Sequence, residues 1–303
     1  MNPAFVWVSP TMQPVLIPYE RSPASWLRCA PLGPINMILQ QDRMARSKTK
    51  SSKNSQSALP DVSVSDDGDV RHLHLGTPWI QGSMRVDAPF DLELEYIQRM
   101  MAWLLFFEPE TVAERHAMQL GLGAGAITKF CHKKLHMCAT AIELNPQVLA
   151  VCRAWFKLPP DGSMLRVVLA DAGQEICKPE WRGTVDALAV DLYDDHAAAP
   201  VLDSAEFYAN CRDLLTEEGC MTVNLFGRST SYAESLEKMA AAFGEDALWA
   251  FKPTREGNAI VLAQRTPSRF KRGELAARCD SVRLRWGLPT AKWVRGFKPV
   301  AAP

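Results

Sequence analysis

The chain has 303 residues, 47% of them hydrophobic, which is room and material for one large or two modest domains with a real core. Lysine plus arginine balances aspartate plus glutamate at 34 each, so no overall field draws the protein to nucleic acid or an anionic membrane. The longest uninterrupted apolar run, Met100 to Phe107, is far short of the roughly 20 residues that cross a bilayer, and the eight cysteines, with no CxxC pair, read as reduced, mostly buried thiols of a cytoplasmic protein.

Residues 1–59 end in Ser47-Lys-Thr-Lys-Ser-Ser-Lys-Asn-Ser-Gln-Ser57, which has no apolar side chain to bury, and are predicted to be a disordered leader. Its apolar start carries Pro10, Pro14 and Pro18 and lacks the basic opening of an export signal. Residues 60–90 are predicted to form a small β-domain. Val62-Ser-Val-Ser65 and Val70-Arg-His-Leu-His-Leu75 alternate on either side of Asp66-Asp-Gly-Asp69, a hairpin with an Asp-Gly turn, and a further strand is expected between Trp79 and Met84.

Residues 91–267 are predicted to be the main domain. Ile97, Met100, Met101, Leu104 and Leu105 mark the buried face of a helix from Leu92 to Phe107, with Asp91 as its cap. Strand and helix then alternate. His116–Leu120 runs into Gly121-Leu-Gly-Ala-Gly125 and a helix from Ala126 to Lys134. Ala139–Ile142 stops at Glu143, before a helix from Pro146 to Phe156. Leu165–Ala170 stops at Asp171, and Val185–Val190 stops at Asp191, ahead of a helix from Ala205 to Leu215. Such alternation implies parallel strands. After Cys220–Leu225 and a helix from Tyr232 to Phe243, Ala247–Phe251 and Ala259–Gln264 flank a loop too short for a parallel crossover, so the sheet is expected to end in an antiparallel hairpin. Residues 268–303 are read as a helical tail that packs on the domain.

In an open α/β sheet the carboxyl ends of the strands share one edge, so these terminal signals are expected to meet in one crevice. Gly121, Gly123 and Gly125 let the backbone turn tightly beside a ligand at a helix N-terminus. With Ala126 they also fit the GxGxxA pattern of nicotinamide binding. Glu143 stands where a carboxylate accepts ribose hydroxyls, and Asp171-Ala172 suits an adenine amino group or, more plainly, a helix cap. Asp171 and the terminal hairpin favour adenosylmethionine or a relative over a dinucleotide. Asp191-Leu-Tyr-Asp194 sets two carboxylates three residues apart, a pair able to bracket a cationic amine and to take its proton.

These residues, in this order, resemble the polyamine aminopropyltransferases, the spermidine and spermine synthases, and above all their bacterial spermidine-synthase-like relatives. The matching pieces lie between Asp61 and Arg265: Trp79-Ile-Gln-Gly-Ser-Met84, Leu94-Glu-Tyr-Ile-Gln-Arg-Met100, the glycine turn, Ala141-Ile-Glu-Leu-Asn-Pro146, Ala170-Asp-Ala172, Asp191-Leu-Tyr-Asp194 and Ala205-Glu-Phe-Tyr208. The resemblance implies a Rossmann-like methyltransferase-type sheet with a terminal antiparallel hairpin, a small N-terminal β-domain ahead of it, and a homodimer. It implies transfer of an aminopropyl group from decarboxylated S-adenosylmethionine to an amine such as putrescine, without a metal. In that reading Glu143 holds ribose, Asp171 and Ala172 adenine, and Gln81 the donor; Asp191 accepts the proton, Tyr96 lines the junction, and Asp194 secures the far end of the amine.

Three features depart from the family pattern. Ala124 replaces an acidic residue of the glycine turn, Ala102 and Trp103 occupy the region of a histidine, and Asp195 replaces a proline. The alternatives are a methyltransferase using intact S-adenosylmethionine and a nucleoside-binding relative without turnover.

Overall fold

A computed structural model describes residues 59–192, 202–226 and 231–300. The expected leader, apart from its last residue, lies outside them. Strands β1 (Val62–Asp67), β2 (Val70–Leu75) and β3 (Gly82–Arg85) form an antiparallel sheet in the order β1-β2-β3. The β1–β2 loop is Gly68-Asp69 rather than Asp-Gly, because Asp67 pairs with Val70; Gly68 supplies the positive φ of +59° that a two-residue hairpin needs.

Helix α1 covers only Glu95–Met100 and passes into a 3-10 segment, Met101–Leu105. Every residue of that segment is buried, so the one-sided stripe that supports an amphipathic α-helix no longer applies. Asp91 is not the cap, since Leu94 occupies that position; Asp91 pairs instead with Lys134 at 2.6 Å.

The main sheet adds β4 (His116–Leu120), β5 (Cys138–Glu143), β6 (Leu165–Leu169), β7 (Val185–Val190), β8 (Leu215–Phe226), β9 (Leu248–Phe251), β10 (Asn258–Gln264) and β11 (Phe297–Pro299), in the order β11-β9-β10-β8-β7-β4-β5-β6. The strands from β6 through β8 are parallel, and β10, β9 and β11 are added antiparallel. The expected terminal hairpin is therefore present, extended by a strand from the tail that three residues ending in proline did not announce.

Alternation along the strands divides the core. In β7, Ala187 and Ala189 face a layer with α2 (Ala126–Lys133) and α7 (Arg272–Trp286), whereas Leu188 and Val190 face α5 (Ala205–Leu214) and α6 (Ser231–Phe243). The small sheet rests on the first side through Leu73 and Met84, against Leu122, Ala124 and α3 (Pro146–Trp155). The tail does pack on the domain. Trp293 and Phe297 are buried, and Phe297 stacks on Phe251 with ring centroids 4.6 Å apart.

Cys131, Cys152, Cys177, Cys211, Cys220 and Cys279 are free thiols, as expected. Cys138 is not, being disulfide-bonded, and Cys29 lies outside the described residues. Among the described residues no helix is long and apolar enough to cross a membrane.

Candidate active site

Strand β4 has β5 on one side and β7 on the other, so the connections after it leave in opposite directions and open a crevice at the carboxyl ends. The turn from Gly121 to Gly125 and the residue Asp191 border that crevice. Gly121, Gly123 and Gly125 all have positive φ, at +82°, +51° and +67°. Gly121 is doubly constrained, because a β-carbon there would overlap the Asp191 carbonyl oxygen.

Glu143 is buried and fastens the turn. Its Oε2 accepts the Leu122 N–H and its Oε1 the Asn145 N–H, each at 2.8 Å. Burial pushes its carboxyl above the usual range, and the N–H groups of Asn145 and Leu122 pull it back. On the near side the small sheet closes over the turn. The space beside Gly123 is limited by the Gln81 carbonyl, and a β-carbon on Gly82 would lie 2.7 Å from both the nitrogen and the β-carbon of Ala124. The Gln81 Nε2 is buried there without a hydrogen-bond partner. A donor left this way costs about 1–3 kcal/mol unless something else accepts from it.

Asp191 is half-buried at the end of β7 and held on both oxygens. Tyr96 on α1 donates its hydroxyl to Oδ2 at 3.2 Å, and Asn224 in β8 donates its amide to Oδ1 at 2.8 Å. Burial raises the Asp191 carboxyl, while Asn224 and Tyr96 hold it down. Asp171 lies at the same sheet edge on the outer strand. It caps α4 (Ala172–Glu175) by accepting the Gln174 N–H at 2.9 Å, and Ala172 is buried at the helix start. The structure thus brings Gln81, Tyr96, the glycine turn, Glu143 and Asp191 together, and puts Asp171 and Ala172 on the same edge. Asp194, Asp195 and His196 lie outside the described residues. Among the described residues no group of three His, Cys, Asp or Glu side chains could hold a metal ion.

Asn224 and Asn258, whose amide donates to the Asn224 oxygen at 3.1 Å, were absent from the sequence reading. The available signal was a polar residue inside the apolar run Cys220-Met-Thr-Val-Asn-Leu225, since a buried amide needs partners.

Beneath the turn Lys129 is buried, its ammonium donating to the Phe156 carbonyl at 2.7 Å, and burial pushes its pKa down to about 8. The unfolded chain, with an ordinary lysine near 10.5, holds more protons than the native state above pH 8, so stability attributable to Lys129 rises with pH. Over the same range the buried thiols of Cys131, Cys152, Cys211, Cys220 and Cys279, all raised from 9.0, act in the opposite direction. From pH 8 to pH 9 the stability change read by urea unfolding is expected to be about 1 kcal/mol more favourable in the wild type than in Lys129→Met. Equal pH dependence in the two proteins would contradict this assignment.

A polyamine aminopropyltransferase of Chromobacterium violaceum is 33% identical over 243 residues, spanning 80% of this chain and 90% of the relative. The chain belongs to the polyamine aminopropyltransferase family. It is accordingly a transferase. No family model matches it. A probable spermidine synthase from Corynebacterium glutamicum shares the fold with a TM-score of 0.60 at 17% identity, over 80% of this chain and 93% of that one. Human methyltransferase-like protein 13, solved with SAH, gives 0.57 at 24% identity, over 65% and 94%. The methyltransferase-type sheet behind a small antiparallel sheet is thus the expected architecture.

Within this aminopropyltransferase the departures have clear surroundings. Ala124 is 2% exposed and packs with Leu73, Met84 and Leu122 beneath the small sheet. Ala102 and Trp103 are wholly inside the core, Trp103 against Phe107 with ring centroids 5.7 Å apart.

Proposed function

We propose that the protein transfers an aminopropyl group from decarboxylated S-adenosylmethionine to a small amine such as putrescine. Asp191 carries this reading. It is a carboxylate at the point between β4 and β7 where the strand order reverses, oriented by Asn224 on one oxygen and by Tyr96 on the other. An alkylammonium near pKa 10.4 must lose a proton before its nitrogen can attack carbon, and Asp191 takes that proton. The nitrogen lone pair forms a bond to the methylene beside the sulfonium, the carbon–sulfur pair leaves with sulfur, and methylthioadenosine is released. Catalysis is then mainly positioning and exclusion of water.

The remaining residues sort by chemistry. Each Glu143 oxygen already accepts one backbone N–H and keeps a lone pair for a ribose hydroxyl. Asp171 and Ala172 serve adenine, and Gly121, Gly123 and Gly125 give the nucleoside close access to backbone. The unpaired Gln81 amide serves the donor. Tyr96 stands between donor and amine, and Asp194 holds the far end of the amine. The homodimer implied by the family likeness would cover Trp79, Ile80 and Val86, which are exposed just before and after β3.

One observation favours a second reading, methyl transfer from intact S-adenosylmethionine: Ala124 places no carboxylate in the glycine turn. A supporting cation does not follow from Lys129, whose ammonium is committed to Phe156. A third reading is nucleoside binding without turnover. Mass spectrometry after incubation with either donor and a panel of diamines separates all three. Aminopropyl transfer adds one aminopropyl unit to an amine; a methyl gain, or tight methylthioadenosine binding with no product, overturns the proposal.

A further inference from the structure

The terminal antiparallel hairpin brings β10 beside β8, and the first residue of β10, Asn258, is a half-buried amide. Its Nδ2 donates to the Asn224 Oδ1 at 3.1 Å, and the Asn224 Nδ2 donates to the Asp191 Oδ1 at 2.8 Å. Asn224 is 4% exposed, so little water competes for either end of its side chain.

An asparagine amide has one accepting and one donating prong, and rotation by half a turn exchanges them. Turned the wrong way, Asn224 would present its oxygen to the Asp191 carboxylate, replacing a charge-assisted hydrogen bond with two facing acceptors. A donor on its other side removes that choice.

We propose that Asn258 is a positioning residue for Asp191: by donating to Asn224 it fixes which prong of that amide meets the carboxylate. The proposal rests on the reading of Asp191 as proton acceptor. The hairpin at one end of the sheet thereby orients the hydrogen bond to a carboxylate two strands away. Tyr96 on α1 is the titratable side chain that touches Asp191, and Asn224 is the neutral one; no charged side chain among the described residues shifts it. Asp194, Asp195 and His196 lie outside the described residues.

The Asn224 hydrogen bond favours the ionised carboxylate, so weakening it raises the pKa of Asp191 and moves the acid limb of activity toward neutral pH. Asn258→Ala removes the donor. Asn258→Asp keeps the shape but needs the Asn224 NH2 group for itself, which turns the amide the wrong way. The experiment follows the Asp191 carboxyl carbon by NMR through a pH titration of the substrate-free protein, with the signal assigned from Asp191→Asn, alongside kcat/KM against pH.

Both variants are expected to raise the pKa, Asn258→Asp more, lowering kcat/KM below the limb roughly 3- to 10-fold with methylthioadenosine affinity unchanged. An identical carboxyl titration in all three proteins overturns the proposal. So does a shift in Asn258→Asp alone, which is the effect of an added charge acting through space. If the wild type yields no transfer product, the functional reading fails, while the carboxyl titration still decides the role of Asn258.

Discussion

Asp191→Asn is expected to abolish aminopropyl transfer and to leave methylthioadenosine affinity within a few-fold. The replacement has nearly the same shape. Its oxygen still accepts from the Asn224 amide, and its new NH2 group can donate to the Tyr96 oxygen, so both partners seen around Asp191 are retained. What disappears is the capacity to take a proton. Removing a positioned general base costs about 10²- to 10⁴-fold in rate. Initial rates of methylthioadenosine release, paired with calorimetric titration of the nucleoside, measure the two effects separately. Unchanged turnover would remove Asp191 from the mechanism; lost binding would make it a nucleoside ligand instead.

Gly121→Ala is expected to destabilise the protein by roughly 2–4 kcal/mol and to weaken nucleoside binding at least 10-fold. The φ of +82° alone costs an L-residue about 1–2 kcal/mol. The new methyl group also meets the Asp191 carbonyl oxygen, a backbone atom in a residue whose N–H is tied to the Leu120 carbonyl at 3.0 Å. Neither side can yield without moving the turn away from the end of β7. Gly125→Ala is the control, since its φ is also positive at +67° but its nearest neighbour is the Leu158 Cδ1 at 3.4 Å, an ordinary contact with a side chain. It is expected to cost only about 1–2 kcal/mol. Equal losses in the two variants, read from urea unfolding, would show that the contact with Asp191 is irrelevant.

The parallel sheet could be read from the chain because four apolar runs each stop at a glycine or an acid, and that punctuation is how a strand end at a binding edge is written in residues. Glu143 and Asp191 were visible for the same reason. Tyr96 was not visible by pattern. It meets Asp191 across 95 residues of sequence, and only the family likeness pointed to it. Local signals misled where tertiary partners prevailed: Asp91 looked like a helix cap and instead pairs with Lys134, and the helix expected through Phe107 gives way to a 3-10 segment once it is buried on all sides. Asn224 and Asn258 were missed because a hydrogen-bond relay between strands leaves no spacing in sequence, only isolated polar residues in apolar surroundings.

The most direct measurement is a crystal structure with methylthioadenosine bound. The expected result is a nucleoside in the crevice at the carboxyl ends of β4 and β7, with ribose on Glu143, adenine beside Asp171, and the thioether sulfur between Gln81 and Asp191. A nucleoside found elsewhere would contradict the account, for example in the cavity of about 400 Å³ lined by Arg99, Lys252 and Lys292 on the far side of α1.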